Sequence, residues 1–145
     1  MKALNKSATA ILNKIIAKIP TGEDYTSFDN SGKTFMPVNI ECIGKQGDRK
    51  LWALSHTFIQ NGDLMRDPEV IFVEMTDRKM NKKTWEIEER ETFAPISFKQ
   101  DPYFEKTHVE FEDGKPVRWN KHLQYDNANF CNGWLKNIKY QQGLK

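Results

Sequence analysis

A mixture of titratable side chains that includes a histidine lies in residues 55–72, SHTFIQNGDLMRDPEVIF. Its members are His56, Asp63, Arg66, Asp67 and Glu69. Because imidazole titrates near neutral pH, His56 could exchange protons with a substrate in company with Asp67 or Glu69. The hydroxyl of the adjacent Ser55 would point to the opposite face of a strand, so no nucleophile is indicated. The chemistry open to this stretch is that of a small acid/base hydrolase.

The three acids of this stretch, Asp63, Asp67 and Glu69, could also hold a hard cation, because such ions prefer carboxylate oxygens. Two features oppose a metal site. The guanidinium of Arg66 would repel a cation or neutralise a carboxylate, and the closing glutamate of a calcium loop is missing at its required spacing. A metal-dependent hydrolase therefore stays an alternative, and the sequence indicates no cofactor.

The element that must position these side chains is predicted by Asn61-Gly62, a pair that tolerates the positive φ of a tight hairpin turn. Alternating apolar runs enter and leave this turn. The resulting cross-strand pairs are Ile59 with Leu64, Phe58 with Met65, Thr57 with Arg66, and His56 with Asp67. We therefore expect a hairpin that carries the polar cluster near its tip.

Pro68 cannot donate a hydrogen bond to a neighbouring strand, so we expect a bulge at this residue. A one-residue slip beyond it restores an apolar match. The restored pairs are Leu54 with Val70 and Trp52 with Phe72. In this kinked hairpin, His56 lies beside Asp67, whose carboxylate should raise the pKa of the imidazole. The alternative to a catalytic role is a hydrogen-bonded pair that only seals the bulge.

Outside the hairpin, apolar residues recur at two different periods. Steps of three and four residues predict helices over residues 3–19 and 121–142, the second capped by Asn120 and ended by Gly143. Alternation predicts strands at residues 36–43, 51–60, 69–76, 84–98 (with a break at Pro95), 107–111 and 117–119. Residues 21–35 and 77–83 are predicted as polar connections. We expect one α+β domain, residues 1–145, with an antiparallel sheet of about five to seven strands and both helices packed on it.

Composition limits the class of protein. The 145 residues are 38% hydrophobic, and a chain of this size buries about 70% of its unfolded surface, so it needs no disulfides. Cys42 and Cys131 are the only cysteines, and their apolar neighbours predict buried, unpaired thiols in a reducing compartment. Because no run of about 18 apolar residues occurs, we expect a cytoplasmic protein with no membrane partner.

Basic residues cluster in two predicted turns. They are Lys45, Arg49 and Lys50 in the first turn, and Arg78, Lys79, Lys82 and Lys83 in the second. If both turns lie at the same end of the sheet, they would form a rim for phosphates beside Trp52 or Trp85. The alternative is that the charges only keep two loops solvated, and a net charge of +2 does not decide between these readings.

Two places could anchor a protein partner. Tyr103 and Phe104 lie on a predicted turn, where an exposed aromatic pair would serve as an anchor unless both rings tuck into the core. The second place is the hairpin tip, which comprises Asn61, Gly62, Asp63, Leu64, Met65 and Arg66. The aromatic pair could also support self-association. Because no complete catalytic signature is present, the sequence favours a non-catalytic binding module for a protein or nucleic-acid partner.

Three pieces of the chain carry a resemblance to a known group of proteins. They are QNGDLMRDPE at residues 60–69, PISFKQD at 95–101, and residues 130–143 around WLKN. On these motifs the chain resembles an uncharacterised family of small bacterial proteins that plasmids, conjugative elements and phages carry. The resemblance spans roughly Leu51 to the C-terminus and implies an accessory role on a mobile element, such as managing host defence, replication or transfer. At Thr57-Phe58 and Phe98 the family favours tyrosine, so no mechanism that needs phenol hydroxyls there is implied.

Overall fold

A computed structural model of the protein describes residues 1–101 and 105–145, together with the backbone of residue 104. Its elements in chain order are α1 (Lys6–Ile16), β1 (Tyr25–Phe28), β2 (Val38–Gln46), β3 (Arg49–Gln60), β4 (Asp63–Met80), β5 (Ile87–Gln100), β6 (Phe104–Thr107), β7 (Val109–Glu112), β8 (Lys115–Trp119) and α2 (Lys121–Gln142). Strands β1 to β6 form one antiparallel sheet in sequential order, and β7 pairs with β8 in a separate hairpin. The predicted α+β fold is confirmed.

Both helices pack on one face of the sheet. Asn5 caps α1, where its side chain accepts a hydrogen bond from the Ala8 N–H at 2.8 Å. Asn120 caps α2 in the same way and accepts a hydrogen bond from the Leu123 N–H at 3.1 Å. Gly143, with φ 60°, ends α2 as predicted. The buried core on this side includes Leu4, Leu12, Ile15, Ile40, Leu54, Phe72, Leu135 and Ile138. No helix of the described residues has the length and apolar character needed to cross a membrane.

The opposite face of the sheet is covered over β4 and β5 by the β7–β8 hairpin. A second buried cluster joins Val73 of β4, Ala94 and Ile96 of β5, and Val109 of β7. This additional layer was not predicted. It explains how β5 can be apolar on both sides near its C-terminal end, since a strand covered on both faces does not alternate.

Several element boundaries differ from their predictions. α1 is shorter than residues 3–19, β1 lies inside the predicted 21–35 loop, and β4 continues through residues 77–80 of the predicted polar connection. β5 passes through Pro95 with a shift of register instead of the predicted break, and the strand predicted at 107–111 is divided between β6 and β7. In β1 only Phe28 packs against the core, and residues 78–80 of β4 are exposed, so neither segment has the sustained apolar alternation by which a strand is recognised.

The two cysteines are unpaired thiols, as predicted, but they differ in burial. Cys131 is fully buried, and this burial raises the pKa of its thiol well above the ordinary value. Cys42 is only half-buried, which corrects the prediction that both thiols lie in the core.

Candidate binding site

The β3–β4 hairpin has the predicted turn and register. Asn61 and Gly62 occupy its centre with φ angles of 52° and 83°. The predicted pairs of Ile59 with Leu64, Phe58 with Met65, and Thr57 with Arg66 are all present. Turn chemistry and cross-strand apolar matching were therefore sufficient to place this hairpin.

The predicted bulge is also present. Ser55 pairs with Glu69 and Thr57 with Arg66, so His56 lies opposite two residues, Asp67 and Pro68. The Asp67–Pro68 peptide bond is cis. Beyond the bulge, the chain resumes the register that was predicted from apolar matching, with Leu54 opposite Val70 and Trp52 opposite Phe72.

His56 is buried on the helix side of the sheet. Its ring centroid lies 5.5 Å from that of Trp134, and its Nδ1 lies 3.3 Å from the Pro37 carbonyl oxygen. Burial lowers the pKa of His56 below its ordinary value, although the carbonyl contacts and the charge of Asp67 act in the opposite direction. The prediction of a raised pKa is therefore wrong, because desolvation of the imidazolium outweighs the nearby carboxylate.

The acids of the hairpin are bound to different partners. Glu69 pairs with Arg66 at 3.1 Å, and Asp67 accepts a hydrogen bond from the Gln100 side chain at 2.7 Å. Asp63 lies at the tip of the hairpin, opposite Gln60. Within the described ranges, no three His, Cys, Asp or Glu side chains are grouped as metal ligands. Asp63, Asp67 and Glu69 are therefore not grouped as ligands of one metal ion, whereas His56 and Asp67 do lie opposite one another at the bulge.

The β3–β4 tip does present an apolar surface. Ile59 and Leu64 form a cross-strand pair in which both side chains are exposed, and Met65 is half-buried beside them. Tyr103 and the side chain of Phe104 lie outside the described residues.

A second hairpin, formed by β4 and β5, was not predicted as a site. Strand β3 pairs with β4 as far as Leu51 with Val73, whereas β4 and β5 stay paired to Met80 and Ile87, seven residues further along β4. At roughly 3.3 Å per residue, this two-stranded ribbon extends about 23 Å beyond the last β3–β4 pair. Asn5 and Lys6 lie beside the ribbon as far as Lys79 and Glu88, so the turn beyond this point is the part that projects from the fold.

The shaft of the ribbon is held by pairs of opposite charges. Arg78 binds Glu89 at 3.0 Å, and Arg90 lies 3.3 Å from Asp77. Near the base of the ribbon, Arg49 of β3 binds Glu91 at 2.9 Å. Because these guanidinium groups are already paired with carboxylates, the shaft offers little uncompensated positive charge.

The tip of the ribbon, residues 80–87, is ordered by Asn81. Its side-chain oxygen accepts hydrogen bonds from the backbone N–H groups of Lys83 and Thr84, at 2.9 and 3.3 Å. Its backbone carbonyl accepts the N–H of Trp85 at 2.7 Å. Three backbone N–H groups of a short loop are thereby tied to one residue, which gives the loop a defined shape before any partner arrives.

Trp85 is displayed by this loop in an unusual way. Its side chain is 75% exposed, and its φ of 59° lies in the left-handed region that bulky residues rarely adopt. Met80 and Ile87, which pair across the ribbon immediately below it, are also exposed. Three large apolar residues are therefore exposed at the end of a projecting element, where folding alone does not bury them.

Only part of the predicted phosphate rim lies next to an exposed aromatic ring. The β2–β3 and β4–β5 turns do lie at the same end of the sheet, because alternate turns of an antiparallel meander share an end. However, Arg49 and Arg78 are ion-paired, Lys79 lies 3.9 Å from Asp77, and Trp52 is only 7% exposed. Of the predicted rim, Lys82 and Lys83 are the basic residues that adjoin an exposed indole, that of Trp85.

The chain belongs to the protein family described as a domain of unknown function, DUF6908, whose model matches residues 4–144. No curated protein and no solved structure matches the chain. The family match covers both helices and all the strands, so it concerns the whole described fold and not the β3–β4 hairpin alone.

Proposed function

We propose that this member of the DUF6908 family is a non-catalytic binding module that contacts its partner through the tip of the β4–β5 ribbon. The observation that carries the proposal is the exposure of Trp85 at the end of an ordered, projecting loop. Clustered large apolar side chains on a surface mark interaction sites more often than single ones do. Trp85, Met80 and Ile87 form such a cluster.

The conformation of Trp85 supports the same proposal. A left-handed backbone costs a bulky residue about 1–2 kcal/mol, and asparagine or glycine would occupy the position with less strain. Strained residues of this kind are commonly retained for function. Tryptophan is also the side chain most enriched among the residues that dominate binding energies, and a preformed loop loses little entropy on binding.

An acid/base or metal-dependent hydrolase that uses His56, Asp63, Asp67 and Glu69 has less support. His56 is buried against Trp134, Glu69 is paired with Arg66, and Asp67 is bonded to Gln100. A general base must reach the proton that it removes. Glu69 shares a small cleft with Ser55 and Thr57, but its carboxylate is held by Arg66, and His56, Asp63 and Asp67 do not line that cleft. A binding role needs no such convergence.

We further propose that the protein works in the cytoplasm as an accessory protein of a mobile genetic element. The support for the mobile element is the resemblance of residues 60–69, 95–101 and 130–143 to proteins of plasmids, conjugative elements and phages. The support for a reducing compartment is that Cys42 and Cys131 are unpaired thiols. A binding module is compatible with roles in defence, replication or transfer.

The experiment that tests the binding role compares three tagged proteins expressed in a bacterial host. They are the wild type, Trp85→Ser, and the control Tyr140→Ser, which removes an aromatic ring that is 86% exposed on α2. We expect a component to co-purify with the wild type and the control but not with Trp85→Ser. Equal recovery with all three proteins would remove the ribbon tip from the function. Circular dichroism must show that all three are folded.

A further inference from the structure

We infer that the partner bound by the ribbon tip is single-stranded nucleic acid, with a base stacked on the indole of Trp85 and phosphates bound by Lys82 and Lys83. The inference rests on the proposed binding function and names the chemistry of its partner. Proteins that bind single strands combine positive charge along the backbone with an aromatic face for a base. Both components meet at this loop.

The charge component comes from lysines that the fold does not use. In the described part of the chain, Lys82 and Lys83 form no ion pair, in contrast to Arg78, Arg90 and Arg49. From Met80 to Ile87 the sequence contains two lysines, Lys82 and Lys83, and a single acid, Glu86. Positive charge is therefore uncompensated at the tip, although it is balanced along the shaft.

The stacking component requires a ring whose face is open to a base. Trp52 and Trp134 are buried and cannot provide such a face, whereas Trp85 is 75% exposed. Met80 and Ile87 lie below it and can contact the sugar or the next base through apolar surface. Stacking is tolerant of sequence because every base has a π-face, so we expect affinity with little base preference.

A single strand fits this geometry better than a duplex. In a duplex both faces of each internal base are already stacked, and a side chain gains access only by separating a base step. A single strand presents these faces without that cost. A protein pocket could also accept Trp85, but the adjacent unpaired lysines would then need a matching acidic rim.

The test measures binding of fluorescein-labelled oligothymidylate to the full chain by fluorescence anisotropy at several salt concentrations. For single strands, log K falls with log salt by about 0.7 for each phosphate contact. With Lys82 and Lys83 engaged, we expect a slope of about −1.4, which falls to near zero in Lys82→Gln/Lys83→Gln. The control Lys136→Gln/Lys139→Gln, on exposed positions of α2, keeps the wild-type slope.

Trp85→Ser separates stacking from charge. We expect it to weaken binding about tenfold or more while leaving the salt slope near the wild-type value. In the wild type, oligothymidylate should quench part of the tryptophan emission and protect it from iodide. The inference is overturned by an absence of binding at low salt, by an unchanged slope in the Lys82→Gln/Lys83→Gln variant, or by tighter binding to a duplex of the same length.

These outcomes are distinct from failure of the proposed function. If oligothymidylate does not bind but Trp85→Ser still loses a co-purifying protein, the ribbon tip is a protein-binding site and the nucleic-acid inference is wrong. If neither oligothymidylate binding nor co-purification depends on Trp85, both proposals fail.

Discussion

The backbone of Gly114 lies against that of Gly47, so closely that a Cβ added to Gly114 would stand 2.6 Å from the Gly47 Cα. Gly114 belongs to the β7–β8 turn and Gly47 to the β2–β3 turn. This contact joins the small hairpin to the main sheet at the end from which the ribbon projects. The contact leaves no room for a side chain at Gly114. Both glycines also have a positive φ, which favours glycine at these positions.

Gly114→Ala should therefore destabilise the protein by more than the strain of placing an alanine at a positive φ. We expect a loss of about 3 kcal/mol in the free energy of unfolding, since the new methyl group meets backbone that cannot move aside. Gly22→Ala is the matched control, because Gly22 has a similar φ of 86° but no neighbour within 4 Å. It should cost about 1–2 kcal/mol. Urea unfolding that gave equal losses would contradict the packing argument.

Arg90 should matter to stability more than the other arginine of the ribbon shaft. It donates to the Leu4 carbonyl at 2.9 Å and to the Thr9 hydroxyl at 3.2 Å, besides its contact with Asp77. Arg90→Ala removes these partners together, and we expect a loss of about 2–3 kcal/mol in the free energy of unfolding. Arg78→Ala, which breaks an exposed pair with Glu89, should cost no more than about 0.5 kcal/mol. Similar losses in urea unfolding of the two variants would exclude an anchoring role for Arg90.

Removing the charge of Asp67 should change the pKa of His56, even though burial sets the direction in which this pKa is shifted. The charge of Asp67 raises the pKa of His56, but desolvation lowers it further than this charge can offset. We expect the wild-type ring to titrate below the ordinary value of 6.5, and the ring in Asp67→Asn to titrate lower still. NMR titration of the imidazole resonances measures both midpoints. A midpoint above 6.5 in the wild type, or an identical midpoint in the variant, contradicts this account.

His108 should make folding stability depend on pH. Burial and the charge of Lys106 lower the pKa of its ring, and neither ring nitrogen has a hydrogen-bond partner among the described residues. Between the lowered folded pKa and the unfolded value of 6.5, the unfolded chain binds more protons. Stability contributed by neutral His108 is therefore complete above pH 6.5 and declines as the pH falls toward the folded pKa.

Replacing the ring with an apolar side chain tests this contribution. We expect His108→Leu to be as stable as the wild type at pH 8 or more so, because it removes two unpaired buried polar atoms. Its stability should fall less steeply than that of the wild type below pH 6.5, with His56 supplying the remaining dependence. Thermal unfolding across this pH range would refute the role of His108 if the two curves had the same slope.

Local rules in the sequence were sufficient for several parts of the structure. Asn61-Gly62 determined the turn, Pro68 the bulge, and apolar matching the pairing of Trp52 with Phe72. Asn120 and Gly143 likewise determined the ends of α2. Each of these features depends on residues that are close together in the chain or directly paired, so its physical cause can be read from residue type and spacing.

The tertiary structure alone decided the rest. Whether His56 is buried depends on α2, which is distant in sequence, and this burial reverses the expected direction of its pKa. Whether Trp85 enters the core depends on where β3 ceases to pair with β4, and periodicity cannot reveal this. The sequence determined by itself which side chains could take part in binding or catalysis. Packing of distant elements determined which of them are buried, neutralised by a partner, or left exposed at the ribbon tip, because desolvation and accessibility are properties of the assembled fold.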